Sequence, residues 1–346
     1  MVIKSVNLVN FRNHESFSLR CDPKTTTITG ENGCGKTSVL EAIYEALQGK
    51  SFRAVDREIV RRGEEFYRVE LDYEDGRKVV VVYDGDKKEF LAEDKKARRL
   101  PKKSKYPIVL FEPDDLHLVG SSPTSRRNYF DRMMGQLSDN YSVSLARYNK
   151  ALRQRNELLK EEGVSADEMF AWNLLLAKHG VELMEWRRRG VQKINEMFTG
   201  VYRSIAENDD RVELRYTSGV ETEGKFLERL ERDFERDSLL GHTSFGVHRD
   251  NYEFIFNDVV ADGSASRGEV RSSVLALKFI EAEMVVGVLG RKPVVLLDDV
   301  FSELDETRQR CLVRNFQDNQ VILTSVAGQE GLGEVVVLGR DDVFLH

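Results

Sequence analysis

The sequence predicts an α/β fold interrupted by a compact helical insertion, and three stretches of the 346-residue chain carry that prediction. The first begins with Thr25-Thr26-Thr27-Ile28-Thr29, a β-branched run. Gly30-Glu31-Asn32-Gly33-Cys34-Gly35-Lys36-Thr37 follows, and then the helix-like Ser38-Val39-Leu40-Glu41-Ala42-Ile43-Tyr44. Strand, glycine-rich loop and helix in that order make a phosphate-binding unit. The second stretch is Pro293-Val294-Val295-Leu296-Leu297, a continuous apolar run as expected of a parallel strand covered on both faces. The third is a change of texture after Pro113. From about 125 to 207, apolar residues recur at three- and four-residue spacing, as in Leu145, Tyr148 and Leu152, or Leu174, Leu175, Val181 and Leu183.

The remaining elements follow from local pattern. Val69–Tyr73 and Lys78–Tyr83 are strand-like and flank the turn Glu74-Asp75-Gly76-Arg77. Tyr106–Phe111, Val212–Tyr216 and Tyr252–Phe256 are further strands, and a charged helix is expected over Lys225–Asp237. A long helix runs from Val270 to about Leu289. Val321–Thr324 and Glu334–Leu338 are expected beside the strand at 293–297. Gly163, Gly180, Gly190 and Gly200 are expected to interrupt the helical stretch, which excludes a long coiled-coil arm. The expected organisation is a head in two halves, 1–112 and 211–346, around an insertion at 113–210.

Net charge is −7, which argues against a wholesale electrostatic grip on nucleic acid. Charge is uneven, however: Lys95, Lys96, Arg98, Arg99, Lys102, Lys103 and Lys105 crowd into one segment. Screening confines each charge to about 10 Å, so a local basic footprint survives a global acidic balance. The same segment also reads as a solvated loop. Cys21, Cys34 and Cys311 have no metal or disulfide spacing, and a cytoplasmic protein with free thiols is the simple expectation. No apolar run approaches the roughly 20 residues that cross a bilayer, so no membrane partner is expected.

The loop at Gly30–Thr37 has the form G-x-x-x-x-G-K-T. Its backbone N–H groups, from Gly30 through Glu31, Asn32, Gly33, Cys34 and Gly35 to Ser38, would close on an anion at the positive end of a helix. Lys36 would reach the β- and γ-phosphates of ATP, and the Thr37 hydroxyl would face Mg²⁺. Val294-Val295-Leu296-Leu297-Asp298-Asp299 is a buried strand ending in acids. Asp298 would hold Mg²⁺ opposite Thr37, and Asp299 would orient or deprotonate the attacking water. The acidic strand lies 298 − 36 = 262 residues after Lys36, far beyond the usual interval. Ahead of it stand Ser266, Gly268 and Glu269 at the start of a long helix. Ser266 with Glu269 reads as a capping box; with Gly268 it also reads as an anion site. This S-x-G-E resembles the signature motif of the ABC-type ATPases, and Phe301-Ser302-Glu303-Leu304-Asp305 resembles their D-loop. That resemblance implies a signature on one subunit closing over ATP bound by another.

A narrower resemblance covers nearly the whole chain. Asn10-Phe11-Arg12-Asn13, the phosphate loop, Leu40-Glu41-Ala42-Ile43-Tyr44 and Ser51-Phe52-Arg53 resemble the opening of the RecF family of bacterial recombination mediators. Pro113-Asp114-Asp115-Leu116-His117-Leu118-Val119, the run from Ser122 to Asp131, Arg153-Gln154-Arg155-Asn156 and Gly246-Val247-His248-Arg249-Asp250 are similar to further elements of that family. Ser121 and Val247 depart from its usual glycine and proline. The resemblance implies an ABC/SMC-type ATPase head with a mixed sheet and an α-helical lid. It also implies a slow, DNA-stimulated ATPase that dimerises on ATP and binds DNA at gaps and single-strand/duplex junctions. RecO- and RecR-like proteins and the RecA recombinase are the implied partners; another SMC-like head serving a different DNA-processing partner is the alternative. Arg12 is either a surface residue or packs near the adenine or phosphates, as its counterpart does in related heads. Asp299 stands where most ABC-type sites carry glutamate, one methylene longer, so slow turnover is expected.

Overall fold

The computed structural model describes residues 1–93, 95–220, 222–261, 263, 265–326 and 334–338. The chain divides into two compact units, one formed by Met1–Asp115 with the segment from Val285 onward, the other by Leu116–Met284.

The first unit contains two sheets. An antiparallel sheet is built from β1 (Ile3–Phe11), β2 (His14–Arg20), β4 (Tyr67–Tyr73), β5 (Lys78–Tyr83), β6 (Lys88–Ala92) and β7 (Lys95–Ala97), in the order β2-β1-β4-β5-β6-β7. A parallel sheet is built from β3 (Thr25–Gly30), β8 (Ile108–Phe111), β12 (Val294–Leu297), β13 (Val321–Ser325) and β14 (Glu334–Leu338), in the order β14-β3-β13-β12-β8. The expected mixture of parallel and antiparallel strands is thus divided between two sheets. All four residues of β12 are buried, which is why its sequence is continuously apolar rather than alternating. β13 lies beside β12 as expected, whereas β14 pairs with β3. Helix α1 (Lys36–Gln48) packs against strands of both sheets. Val39, Leu40, Ile43 and Leu47 share one core with Ile28 and Ile322 of the parallel sheet and Val69, Leu71 and Val81 of the antiparallel one. The short α2 (Asp56–Ile59) lies between α1 and β4 in the chain, and α9 (Glu306–Phe316) between β12 and β13.

The second unit contains α3 (Pro123–Leu137), α4 (Asp139–Leu158), α5 (Ala166–Ala206), α6 (Glu223–Arg232) and α7 (Phe234–Leu240). It adds a small antiparallel sheet of β9 (Val212–Thr217), β10 (Asn251–Phe256) and β11 (Val259–Val260), and the start of α8 (Arg267–Leu289). Two expectations are corrected here. Of the four glycines, only Gly163 breaks the helical stretch, between α4 and α5; the 41-residue α5 runs straight through Gly180, Gly190 and Gly200. Two of these glycines are packing sites rather than stops. A methyl group at Gly180 would lie 2.6 Å from the Phe226 ring, and one at Gly190 would collide with Met134. The second correction is the boundary at 210, because the strands after α5 belong with the helices. Asn195 of α5 exchanges two hydrogen bonds with the Leu214 backbone, at 2.8 and 2.9 Å, and Thr199 Oγ1 donates to the Val212 carbonyl at 2.7 Å. The side chains of α5 therefore pair with the backbone of β9, and a chain-order division cuts through that pairing.

Two buried arginines organise the second unit. Arg155, fully buried, donates from Nη1 to Asp237 Oδ2 at 2.8 Å and Thr243 Oγ1 at 2.7 Å, and from Nε to Asn173 Oδ1 at 2.8 Å. Arg187 donates to Asp131 at 2.9 Å, to Asp250 Oδ2 at 3.3 Å and to the Val247 carbonyl at 2.8 Å. The Gly246–Asp250 segment is thereby a structural turn: Asp250 also accepts from Tyr216, and the His248 ring lies between Tyr148 and the Thr243 carbonyl, at 2.8 and 3.0 Å.

Burial, with the nearby charges of Arg249 and Arg127, pulls the His248 pKa down to about 4. The unfolded chain binds that proton near 6.5, so between about 6.5 and 4 the unfolded state holds more protons and stability falls as pH falls. The loss reaches about 3 kcal/mol at the acid end. Both tryptophans, Trp172 and Trp186, lie in α5, so urea unfolding followed by their fluorescence reports this unit. His248→Gln is expected to flatten the acid limb of that pH profile; an unchanged limb would assign it to other groups.

Candidate nucleotide-binding site

The loop at Gly30–Thr37 leaves the end of β3 and turns into α1. Gly33 and Gly35 hold φ values of 83° and 103°, a region that costs a residue with a side chain. At Gly35 a Cβ would also meet Asn13 Oδ1 at 2.7 Å, so the loop backbone is pressed against the β1–β2 turn. α1 starts at Gly35 without a side-chain cap. Its positive end is consequently open to an anion.

Lys36 is 4% exposed and folds back over the loop, donating from Nζ to the carbonyls of Gly30 at 2.9 Å and Glu31 at 3.2 Å. Its Nζ lies 3.9 Å from Asp299 Oδ2. Thr37 Oγ1 donates to Asp298 Oδ1 at 2.8 Å, and Thr324 Oγ1 donates to the same oxygen at 2.9 Å. The Asp299 N–H donates to Thr324 Oγ1 at 2.8 Å, so Thr324 locks both acids at the end of β12. Burial raises the Asp298 pKa, against the hydrogen bonds from Thr37 and Thr324 and the charge of Arg53. Asp299 sits at φ 49°, and its Oδ1 is buried with no hydrogen-bond partner. A buried, unsatisfied carboxylate oxygen is costly and marks a position made for something else to contact.

A cleft of about 700 Å³ opens in front of these groups. It is lined by Asn32, Gly33, Gly35, Lys36, Thr37, Ser38 and Asp299, and also by Arg12, Asn13, Arg53, Arg61 and Arg62, with Glu58 as the one other acid. Cationic walls, an open helix start and a hydroxyl–carboxylate pair suit a nucleoside triphosphate. The Thr37–Asp298 separation also suits Mg²⁺, whose neighbouring octahedral ligands at about 2.0–2.1 Å stand about 2.9 Å apart.

The other expected residues fall into place around this cleft. Arg12 lines it and grips Glu41 with two hydrogen bonds, at 2.9 and 2.8 Å. The Cys34 sulfur lies close to Gly30, filling the inside of the loop. Ser266, Gly268 and Glu269 belong to the second unit, at the start of α8. Ser266 and Glu269 form the reciprocal cap, with the Ser266 N–H donating to Glu269 at 2.6 Å and the Glu269 N–H to Ser266 Oγ at 3.3 Å. Lys95 and Lys96 are exposed on β7, the last strand of the antiparallel sheet, with Arg98, Arg99, Lys102, Lys103 and Lys105 exposed beyond it. Lysines on an edge strand also discourage pairing with foreign strands, and Lys103 is paired with Glu93.

Proteins named DNA replication and repair protein RecF match across almost all of this chain. The one from Clostridium perfringens is 30% identical over 334 residues, covering 94% of this chain and 92% of its own. That from Lachnoclostridium phytofermentans is 33% identical, with 95% and 94% covered.

The chain belongs to the RecF family.

It is thereby an ATPase of DNA replication and repair, and a family model described as AAA ATPase domain matches residues 1–166. A solved structure of the recombination mediator RecF with ATP, in the RecFOR pathway, superposes with a TM-score of 0.88 at 27% identity, covering 98% of this chain and 96% of that one. An SMC head bound to the winged-helix domain of ScpA shares the fold, with a TM-score of 0.53 at 15% identity over 94% of this chain and 90% of that one. Among the described residues no helix is long and apolar enough to cross a membrane.

Sequence reasoning does not mark Arg53, Arg61 and Arg62 as cleft residues, nor Glu41 as the partner of Arg12 and Arg53, nor Thr324 as the residue that holds both acids. Only Glu41 carries a signal: an acid inside the otherwise apolar Val39–Ile43 run, on a helix face that is wholly buried.

Proposed function

We propose that this RecF-family ATPase is an ATP-gated DNA clamp that helps load a RecA-type recombinase at single-strand gaps. The observation that carries the reading is the meeting of Lys36, Thr37, Asp298 and Asp299 around one cationic cleft. In this reading Lys36 and the N–H groups of the loop hold the phosphates, and Thr37 and Asp298 hold Mg²⁺. Asp299 orients the attacking water and receives its proton. Mg²⁺–ATP supplies the scissile bond and, through the metal, screening of the charge that develops on the γ-phosphate. Ser266, Gly268 and Glu269 close over the nucleotide of a second copy, so that ATP joins two chains and hydrolysis parts them. RecO- and RecR-like proteins are the proposed partners, and the cytoplasm the proposed compartment.

DNA is held by its backbone. The candidate contacts are Lys95, Lys96, Arg98, Arg99, Lys102, Lys103 and Lys105, which position a duplex without reading its sequence. The test is fluorescence anisotropy on a labelled gapped duplex, with and without ATP–Mg²⁺, across salt. Tight binding only with ATP is expected. Replacing Lys102, Lys103 and Lys105 by alanine is expected to weaken binding and to shallow the log–log salt slope by roughly 1 for each lysine that neutralises a phosphate. An unchanged slope would move the DNA to another surface. Nucleotide binding without any DNA binding would shift the role to a protein partner.

A further inference from the structure

We infer that Glu41 is a positioning residue of the ATP site, holding Arg12 and Arg53 so that their surplus positive charge faces the phosphates of the nucleotide. The inference rests on the reading of this cleft as the ATP site.

Glu41 lies one turn beyond Thr37 on α1 and is completely buried. Its two oxygens accept four hydrogen bonds: from Arg12 Nε and Nη2, from Arg53 Nε at 3.0 Å and from Ser51 Oγ at 2.6 Å. Burial alone would raise its pKa, but the Arg12 and Ser51 hydrogen bonds and the charge of Arg53 outweigh it and hold the carboxyl below its ordinary range. The carboxylate is therefore charged and saturated.

Here one negative charge sits between two positive ones, and the cluster keeps a net charge of about +1 in a partly dry place, where like charges repel. Both arginines line the cleft. Arg12 spends a further donor on the Glu58 carbonyl, at 2.9 Å, and its backbone holds φ 58°, a region disfavoured for any residue with a Cβ. Arg53 uses only its Nε on Glu41; among the described residues neither of its Nη groups has a hydrogen-bond partner. A guanidinium anchored at one corner with its fork unspent is preorganised for a planar, multiply charged acceptor. Glu41, on α1, thus holds two arginines of the cleft that the loop leading into the same helix also lines.

The test is a double-mutant cycle in the full-length protein, titrating ATPγS–Mg²⁺ by calorimetry into the wild type, Glu41→Gln, Arg53→Ala and the double variant. Each single change is expected to weaken binding roughly tenfold, the scale of a charged hydrogen bond. In the Arg53→Ala background, Glu41→Gln should cost well under its own tenfold, because much of its effect runs through Arg53. A purely structural Glu41 would lower stability yet leave the two effects multiplicative. Multiplicative effects, or wild-type affinity in Glu41→Gln, overturn the inference. If Glu41→Gln does not fold, Glu41→Asp enters the same cycle; it keeps the charge but is one methylene too short to span both arginines. A wild type that fails to bind the nucleotide removes the reading of the cleft itself, whereas wild-type binding with multiplicative effects removes only the role of Glu41.

Discussion

Asp299→Asn is expected to bind ATP normally and to turn it over about a hundredfold or more slowly, the range a positioned general base contributes. The backbone makes this an interpretable change. Asp299 occupies the left-handed region at φ 49°, which asparagine tolerates as well as aspartate does. The bond to Thr324 comes from the Asp299 backbone N–H and does not depend on the side chain, and the Lys36 ammonium at 3.9 Å loses a charge partner but keeps its bonds to the Gly30 and Glu31 carbonyls. What asparagine lacks is a charged oxygen able to take a proton, and in the structure the Oδ1 of Asp299 is buried without a hydrogen-bond partner. Single-turnover hydrolysis separates the step from binding and release. If the variant also accumulates dimers with ATP on size exclusion, hydrolysis is what parts the two copies. Wild-type turnover in Asp299→Asn would sink its role as base.

The second large effect concerns stability. Arg155→Met should destabilise the second unit by about 3–5 kcal/mol, the range for removing one member of a buried ion pair. Asp237 is fully buried, and without Arg155 its carboxylate is left to the Ser244 N–H, at 3.0 Å. The double variant Arg155→Met, Asp237→Leu should recover much of the loss, because the penalty lies in the orphaned charge rather than in the missing bond. Urea unfolding monitored at Trp172 and Trp186 measures both. A cost under about 1 kcal/mol for Arg155→Met would mean that water reaches Asp237.

The site is legible in the sequence where its chemistry requires contiguous residues. The phosphate loop must be a strand, a tight turn and a helix in immediate succession, so spacing alone names Lys36 and Thr37. The acids at 298 and 299 must end a buried strand, and four apolar residues before two aspartates say so. Arg53, Arg61 and Glu41 are not legible as a set, because they come together only when α1 is packed and the segment after it folds back across the cleft. The helical glycines mislead for a related reason. Glycine breaks an isolated helix and also admits a neighbour to a packed one, and only the positions of Phe226 and Met134 tell these apart. The boundary expected at 210 follows the texture of the chain, whereas Asn195 and Thr199 bind the strand that comes after it.

The strand order of the parallel sheet has a consequence in time. β3, which carries the phosphate loop, has β13 on one side and β14 on the other, so neither of its edges can pair until residues beyond 320 exist. From Gly30 to Val321 is 321 − 30 = 291 residues, roughly 15–60 s of synthesis at about 5–20 residues per second. Throughout that interval the nascent chain carries its ATP loop on a strand with two open edges, while the whole of the second unit is made and can fold. An edge of that kind is where a growing chain is most exposed to false pairing. Thr25, Thr26, Thr27, Ile28 and Thr29 are β-branched and uncharged, a composition that favours strand pairing, so β3 keeps that hazard until its neighbours arrive.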